Sequence, residues 1–557
     1  MVREELKQAL SAALAAAVAK GELPAVEAPP VILETPPEKR FGDFSCNLAM
    51  TLAPLVGRSP RAVAEVLVRH LRLPEGRLER TEIAGPGFLN FHFHPAWLRE
   101  TVRQILAQGE RCGRSNIGGG QRVNLEFVSA NPTGPLVVAN GRQAAFGDCL
   151  ARLLECCGYS VTREYYINDA DRSTQVQKFG ESLEARYRQI FGEEAPVPED
   201  GYQGEYVAEM ARAIAAEAGD RYLSVEAESR RKVFRDLALD RVITGQQADL
   251  AEFGVSFDVW FRESDLFARG AVEATLAALR EGGHTYESED ALWLRTRAYG
   301  DEKDRVLVRA TGAPSYLAAD VAYHRDKFSR GFDRLIDVWG PDHHGHIART
   351  KAGVQALGYP TDRVDILIVQ IVRLYSGGEM VRMSKRAGEL VLLKDLVADV
   401  GGDAARFFFL MRSHDSPLDF DLELAKQESP ENPVYYVQYG HARICSILRE
   451  AEERGVSLPD PGQVNFDRLE AEDELALMRK LADLPEEVQL AAAKYEPHRM
   501  TRYAQELARA FHSFYTTCRV LGEDSELTAA RLSLVIAARH VLRNTLQWIG
   551  VRAPERM

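Results

Sequence analysis

The chain has 557 residues, a formal net charge of −13, 45% hydrophobic and 27% charged side chains, ordinary values for a soluble protein of roughly three or four domains. A generally basic nucleic-acid binder is excluded, so any RNA contact has to come from local patches. Seven scattered cysteines without a CxxC pair point away from a disulfide framework or a zinc ribbon and fit a reducing compartment.

Ala9 to Ala19 is apolar, but Glu4 and Glu5 stand where a signal peptide needs positive charge, so an amphipathic helix is expected. No run approaches the roughly 20 apolar residues of a membrane span. Residues 1–108 look like a separate α+β domain, with Gly85-Pro86-Gly87 turning into an alternating strand toward Phe91. Gly113 to Gly120 is a plausible linker. A βαβ unit follows: a strand over Arg122–Val128, a helix over Gly141–Cys157 stopped by Gly158, and a strand over Val161–Ile167. The loop between the first strand and the helix is rich in Pro and Gly. It delivers its residues to a helix N-terminus, where free backbone N–H groups suit a phosphate.

Residues from about 170 to 290 read as charged helices inserted into this nucleotide fold. Strand signals return at Arg305–Val308, Leu335–Trp339 and Val364–Val369, and the pattern is helical from about 431 onward. The expected division is 1–108, 120–370 with its insertion, 371–430 and 431–557.

Activating a carboxylate with ATP spreads negative charge over phosphate oxygens, and the protein must aim cations and donors at them. The chain has no GxxxxGK[ST] loop. It has instead Ala130-Asn131-Pro132-Thr133-Gly134-Pro135-Leu136-Val137-Val138-Ala139-Asn140-Gly141-Arg142 and, far downstream, Arg382-Met383-Ser384-Lys385-Arg386 between glycines. Trp339-Gly340-Pro341-Asp342-His343-His344-Gly345-His346 has metal-ligand residue types, but lacks helix or hairpin ligand spacing and cysteines. Tyr316 and Asp320 share a face of a helix-like stretch. On residue type alone, Glu263 and Asp320 are better read as surface salt bridges.

These stretches resemble the two ATP signatures of class I aminoacyl-tRNA synthetases. The likeness narrows to the arginyl-tRNA synthetase family through Gly42-Asp43-Phe44-Ser45, Glu126 to Pro132, Glu164 to Asp169, Phe257 to Phe261, Tyr316 to Asp320, Asp403 to Phe408, Asn432 to Tyr439 and the ending Ala553 to Met557. Both histidines of the first signature are replaced, by Val137 and Asn140. The resemblance implies an α/β, Rossmann-like parallel-sheet catalytic domain with a helical insertion. It adds an N-terminal α+β domain that contacts tRNA and an all-α anticodon-binding domain at the C-terminus.

It also implies arginine activation by ATP and Mg²⁺, with no protein-bound metal, followed by transfer to tRNA(Arg), usually only once tRNA is bound. Lys385, Asn140 and Ser384 would be catalytic. Pro132, Gly134, Val137, Asn140, Gly141, Gly340, Asp342, His343, Met383 and Lys385 would surround ATP, with Arg142 a further phosphate donor. Glu126 and Asn131 would hold the amino-acid head, and Glu263, Tyr316 and Asp320 the guanidinium. A guanidinium wants planar carboxylates and an aromatic face.

Residues 491–557 carry ten basic against six acidic side chains, consistent with local RNA docking or with a solvated helix face. Tyr435, Tyr439, Arg443, Arg499 and Arg502 are the candidates for tRNA. A cytoplasmic monomer that does not bind membranes is expected. Val137 and Asn140 leave open a weak or inactive paralogue that binds tRNA or arginine, and a different nucleotidyl transferase is the second rival.

Overall fold

The computed structural model describes residues 2–36, 38–170, 173–381, 391–457 and 460–557. It divides into two compact units, one built from Met1–Cys112, Ile444–Asp483 and Arg509–Val541, the other from Gly113–Arg443, Leu484–Ala508 and Leu542–Met557.

The first unit opens with α1 (Val2–Ala19), the helix expected in place of a signal peptide, whose Leu6, Leu10, Ala13 and Ala17 form a buried stripe. Its strands β1 (Leu33–Glu34), β2 (Phe44–Cys46), β3 (Leu78–Ala84) and β4 (Phe88–Phe93) form an antiparallel sheet in the order β1-β2-β4-β3. Gly85-Pro86-Gly87 joins β3 to β4 as a hairpin. An added Cβ at Gly87 would lie 2.8 Å from the Pro60 carbonyl carbon, so only glycine fits there. β4 is buried on both faces from Leu89 to Phe93 rather than alternating. The helices α2 (Leu48–Val56), α3 (Pro60–His70) and α4 (Ala96–Gln108) complete this part.

Residues near the C-terminus join the same unit. Arg99 reaches Asp467 at 2.9 Å, Arg479 reaches Asp43 at 3.2 Å and Arg3 reaches Asp483 at 3.5 Å. Compactness therefore groups residues that the linear division separates.

In the second unit β5 (Arg122–Glu126), β6 (Ser160–Ile167), β7 (Val259–Arg262), β11 (Arg334–Trp339) and β12 (Val364–Ile368) make a wholly parallel sheet in the order β12-β11-β5-β6-β7. Between β7 and β11 in sequence come β8 (Thr285–Ser288), β9 (Ala291–Leu294) and β10 (Arg305–Val308), a separate antiparallel sheet. The helical insertion is α6 (Thr174–Ile190), α7 (Glu205–Ala218) and α8 (Ala227–Glu252), closed on a core of Phe179, Tyr187, Val207, Ile214 and Phe234. It ends earlier than the composition suggests. Val259–Arg262 re-enters the main sheet as its edge strand, and the charged residues around this short segment hide it.

α5 (Val138–Cys156) follows β5 and lies so close to the sheet that an added Cβ at Gly147 would meet the Phe127 side chain at 2.2 Å. After β7 come α9 (Glu263–Ala268), α10 (Ala271–Glu281), α11 (Tyr316–Ser329) and α12 (Ile347–Ala356). β13 (Val372–Ser376), β14 (Glu379–Met380) and β15 (Leu418–Asp421) form a third small sheet beside α13 (Leu393–Val400), α14 (Gly402–Leu410) and α15 (Leu422–Lys426). Helices α16 (Pro433–Glu453) to α20 (Ser525–Trp548) follow.

Arg406 on α14 is 2% exposed. It donates to Asp148, to the Phe253 carbonyl at 3.1 Å and to the Ile549 carbonyl at 3.3 Å, so a buried ion pair anchors the chain's end within this unit.

Candidate active site

In an open parallel sheet, ligands sit beyond the carboxyl ends of the strands, where the strand order reverses. Here the reversal is between β5 and β11. Leaving those ends are the loop Phe127–Val137 after β5, Asn168 to Ala170 after β6, Glu263 at the start of a helix directly after β7, and Gly340–His346 after β11.

The loop after β5 is held in an uncommon shape. Val128 and Ser129 have φ of 69° and 37°, a left-handed conformation that a β-branched valine rarely adopts. Neutral donors grip the loop from outside. Gln246 on α8, 1% exposed, donates to the carbonyls of Gly134 at 2.9 Å and Asn131 at 3.3 Å, and accepts from Tyr165 at 2.8 Å. Tyr206 donates to the Thr133 carbonyl at 2.8 Å. The Ala130 N–H donates to the Tyr165 hydroxyl at 3.1 Å. The insertion thus clamps the first signature.

At the start of α5, the Asn140 side-chain oxygen accepts from the Val137 N–H at 3.0 Å. That bond fixes which way the amide faces. Its oxygen is engaged, and its NH₂ group is left as the donor. Val137 is the residue before the helix and carries no polar side chain. Pro132 is buried and Gly134 half-buried in the clamped loop. Gly141 has a packing reason to be glycine, since an added Cβ would lie 2.5 Å from Leu393.

Arg142 is not free to meet a phosphate. It is 1% exposed and donates to the carbonyls of Gln370 at 2.9 Å and Ser413 at 2.8 Å. Burial pushes its guanidinium down to about 10, against the pull of Asp415. The compensating role that its place in the signature suggests is ruled out by these bonds.

Met383, Ser384 and Lys385 lie outside the described residues. Just beyond them, the Val138 N–H donates to the Val391 carbonyl at 3.2 Å and the Leu393 N–H to the Leu136 carbonyl at 2.9 Å. The end of the second signature's loop is therefore paired to the first signature.

Gly340 begins the short 3₁₀ turn Pro341–His346, which carries Asp342 and His343 on its exposed side. Trp339 and His343 rings are 5.9 Å apart. Burial, together with Arg349, pushes His346 down to about 4. Among the described residues no group of three or more histidine, cysteine or carboxylate side chains stands ready to hold a metal.

The arginine candidates gather at the other end. Glu263 is 4% exposed, and its Oε2 is buried without any hydrogen-bond partner. Burial first, then Asp320 and Asp169, push it up to about 7. Asp320 is likewise raised to about 6, by burial and then by Glu126 and Asp337 against His324 and Arg349. The surface salt-bridge alternative fails, because neither carboxylate forms an ion pair with a lysine or arginine among the described residues. Asp169 has partners, accepting from Ser264 N–H at 2.9 Å and from Arg262 at 3.0 Å.

Glu126 accepts from Ser129 Oγ at 3.0 Å and from Lys327 at 2.7 Å. Tyr316 opens α11 and is 57% exposed, one turn before Asp320. Asn131 is exposed at the loop's outer side.

Two residues of this site escaped the sequence reading. Tyr166 is kept protonated by burial and by Glu263, Asp320, Glu126 and Asp169 around it. It lies inside the quoted string Glu164–Asp169, which was the signal. Gln143 is 8% exposed with an unpartnered Oε1 near Gly340, and it directly follows Arg142 in the signature.

The tRNA candidates do not form one free basic patch. Tyr435 and Tyr439 stack at 6.2 Å and 8°, and the Arg443 guanidinium lies 4.9 Å over Tyr439. Arg499 is committed to Glu496 at 2.6 Å and Glu487 at 3.2 Å, whereas Arg502 is largely exposed.

A parallel sheet with these loops at its reversal point has the architecture of a class I aminoacyl-tRNA synthetase. A family model described as "tRNA synthetases class I (R), catalytic domain" matches residues 101–408. Models described as "Arginyl tRNA synthetase N terminal domain" and "DALR anticodon binding domain" match residues 4–93 and 437–557. The arginine--tRNA ligase of Moorella thermoacetica is 50% identical over 555 residues, 100% of this chain and 99% of its own length. That of Desulforamulus reducens is 49% identical over 556 residues, with the same coverage. The solved arginyl-tRNA synthetase of Thermus thermophilus shares the fold, with a TM-score of 0.78 at 24% identity over 100% of both chains. The chain belongs to the arginyl-tRNA synthetase family.

Proposed function

We propose that the protein is an arginine--tRNA ligase that makes arginyl-adenylate from L-arginine and ATP and passes arginine to the 3′-terminal adenosine of tRNA(Arg). The observation that carries the reading is the pair Glu263, buried with an unpartnered Oε2, and half-buried Asp320, neither of which forms an ion pair with a lysine or arginine among the described residues. Burying ionised groups unpaired is costly, and a guanidinium is the partner their geometry lacks. Tyr166 and Tyr316 supply aromatic surface, and Glu126 with Asn131 takes the α-amino group.

The arginine carboxylate then attacks the α-phosphorus of ATP. The new C–O–P bond forms as the bond to the β-phosphate oxygen breaks, and pyrophosphate carries the electron pair away. A hydroxyl of the terminal ribose next attacks the mixed anhydride, and AMP leaves. In this reading the α5 N-terminus and the Asn140 NH₂ group donate to the phosphates, and Pro132, Gly134, Val137 and Gly141 shape the wall. Gly340, Asp342 and His343 take the ribose and adenine. Lys385, with Met383 and Ser384, brings the positive charge, and Mg²⁺ comes with ATP. Tyr435, Tyr439, Arg443 and Arg502 face the tRNA, Arg499 holding its helix instead. The enzyme works as a cytoplasmic monomer.

The test is charging of tRNA with labelled arginine beside lysine and glutamine, with single-turnover adenylate formation in the presence of tRNA. Arginine alone should be charged. A chain that binds tRNA at saturating arginine and ATP yet forms no adenylate is the inactive paralogue.

A further inference from the structure

Three acidic side chains stand in a row across the central sheet. Glu164, Glu126 and Asp337 are register partners on the adjacent parallel strands β6, β5 and β11, so they leave the same face. All three are buried. Like charges directly opposite one another repel, and α11 lays cations over them. Lys327, 0% exposed, donates to Glu126 at 2.7 Å and to Asp337 at 2.6 Å. Arg330 forks onto Glu164 at 2.5 and 2.8 Å. His324 bridges Asp337 Oδ2 at 2.8 Å and the main-chain carbonyl of Asp320 at 2.7 Å.

A continuous path therefore joins the carboxylate assigned to the α-amino group with the helix turn that carries the guanidinium carboxylate. Asp320, His324 and Lys327 share one face of α11, at spacings of four and seven.

We infer that Lys327 is a positioning residue for arginine: by bridging Glu126 and Asp337 it keeps Glu126 an anion, in the orientation that receives the α-amino group. The inference rests on the proposed contact between Glu126 and the amino-acid head. Glu126 needs such a partner. Its proton affinity is raised on balance: burial raises it most, Lys327 pulls it down and Asp337 pushes it up again, so loss of Lys327 would raise it further. The groups bearing on it are Tyr323, His324, Lys327 and Arg330 with Asp320 on α11, Glu164 and Tyr166 on β6, and Asp337 on β11.

Arg330 is taken by Glu164, and His324 by Asp337. Without Lys327 the proton goes to Glu126, the acid with no second cation. Two carboxylates sharing a site do not both ionise.

The experiment uses the full chain, saturating ATP and tRNA, and kcat/KM for arginine between pH 6 and 8.5. Lys327→Met should lower it at pH 7 by about 100-fold or more. The loss should shrink about tenfold per pH unit as Glu126 ionises, with KM for ATP unmoved. K327M/D337N removes the competing acid and should recover at least about tenfold over K327M at pH 7. Lys327→Arg should keep the wild-type profile.

A pH-independent loss in K327M, or a double variant no better than the single, overturns the inference. Should K327M not fold, K327M/D337N carries the same readout: a rising profile supports the inference and a flat one overturns it. Glu126→Gln separates the layers. An unchanged arginine KM there overturns the head-group assignment and the inference with it. A strong loss there, with a flat K327M profile, overturns the inference alone.

Discussion

The second unit contains two kinds of carboxylate turned away from open solvent. Asp148, Glu164 and Asp337 have cations built in: Arg406, Arg330 and Lys327. Glu263 and Asp320 form no ion pair with a lysine or arginine among the described residues, although His324 and Arg349 act on Asp320 from further off. The first kind is structural: each charge was matched by the chain before any substrate arrived. The second kind carries charge that a cationic substrate group would match. Burial alone does not distinguish a site from a strut; the missing counter-ion does.

The sharpest way to break this distinction is a pair of variants with opposite readouts. Arg406→Met should destabilise the protein by about 3 kcal/mol, because Asp148 keeps Arg152 at 2.9 Å and Arg163 at 3.9 Å while the buried Phe253 and Ile549 carbonyls lose their donor. Arginine KM of the folded fraction should stay near wild type. Denaturant titration beside steady-state kinetics checks both. Asp320→Asn should do the reverse. Removing one partner of the guanidinium costs about 2–5 kcal/mol of arginine binding. ATP KM should hold, and the denaturation midpoint should rise, because a carboxylate raised by burial is replaced by a neutral amide. Equal shifts in arginine and ATP KM would mean that Asp320 does not hold the amino acid.

Effects on the signature should be smaller. Gln246→Leu removes the donor to Gly134 and Asn131 and should lower kcat about tenfold, one neutral hydrogen-bond network's worth, while arginine KM changes little. Asn140→Ala should lose a similar factor in single-turnover adenylate formation. If it matches wild type, backbone N–H groups and Lys385 bind the phosphates without it.

The smallest effect is a pH slope. Glu263 sits at about 7 in the ligand-free fold, against an ordinary value of 4.5. Its folded-state proton affinity is raised, so the stability it contributes is complete below about pH 4.5 and lost as pH rises through about 7. Arginine favours the ionised form. The thermal shift produced by arginine should therefore grow from pH 5.5 to about 7 and then level, and Glu263→Gln should flatten that slope.

Much of this was legible beforehand. Leu335–Trp339 and Val364–Val369 are mostly apolar and Val161–Ile167 is rich in β-branched and aromatic side chains, and strands form at all three, as Arg334–Trp339, Val364–Ile368 and Ser160–Ile167. β7 was missed because four residues, Val259–Arg262, between charged helices carry too little periodicity to register. Glu263 and Asp320 could be named from their strings, but not their lack of partners, which depends on where α9 and α11 pack. Lys327 looks like any helix lysine; only the register of Glu126 and Asp337 makes it a buried bridge. Arg142 and Arg499 failed as ligands for the same reason in reverse: sequence shows a cation and not the carbonyls or carboxylates already holding it.

The interleaving of the chain has a consequence for its own synthesis. Met1–Cys112 belongs to a unit that also needs Ile444–Asp483 and Arg509–Val541. About 330 residues are translated between Cys112 and Ile444, which at ordinary ribosome speeds takes roughly 20–60 s. Through that interval Arg99 on α4 has no Asp467, Asp43 no Arg479 and Arg3 no Asp483 to meet. The nascent N-terminal part must wait half-finished while the whole parallel sheet emerges behind it. Slowing translation within residues 113–443 should lengthen its exposure to chaperones and proteases, and releasing the chain before Val541 should leave it permanently incomplete.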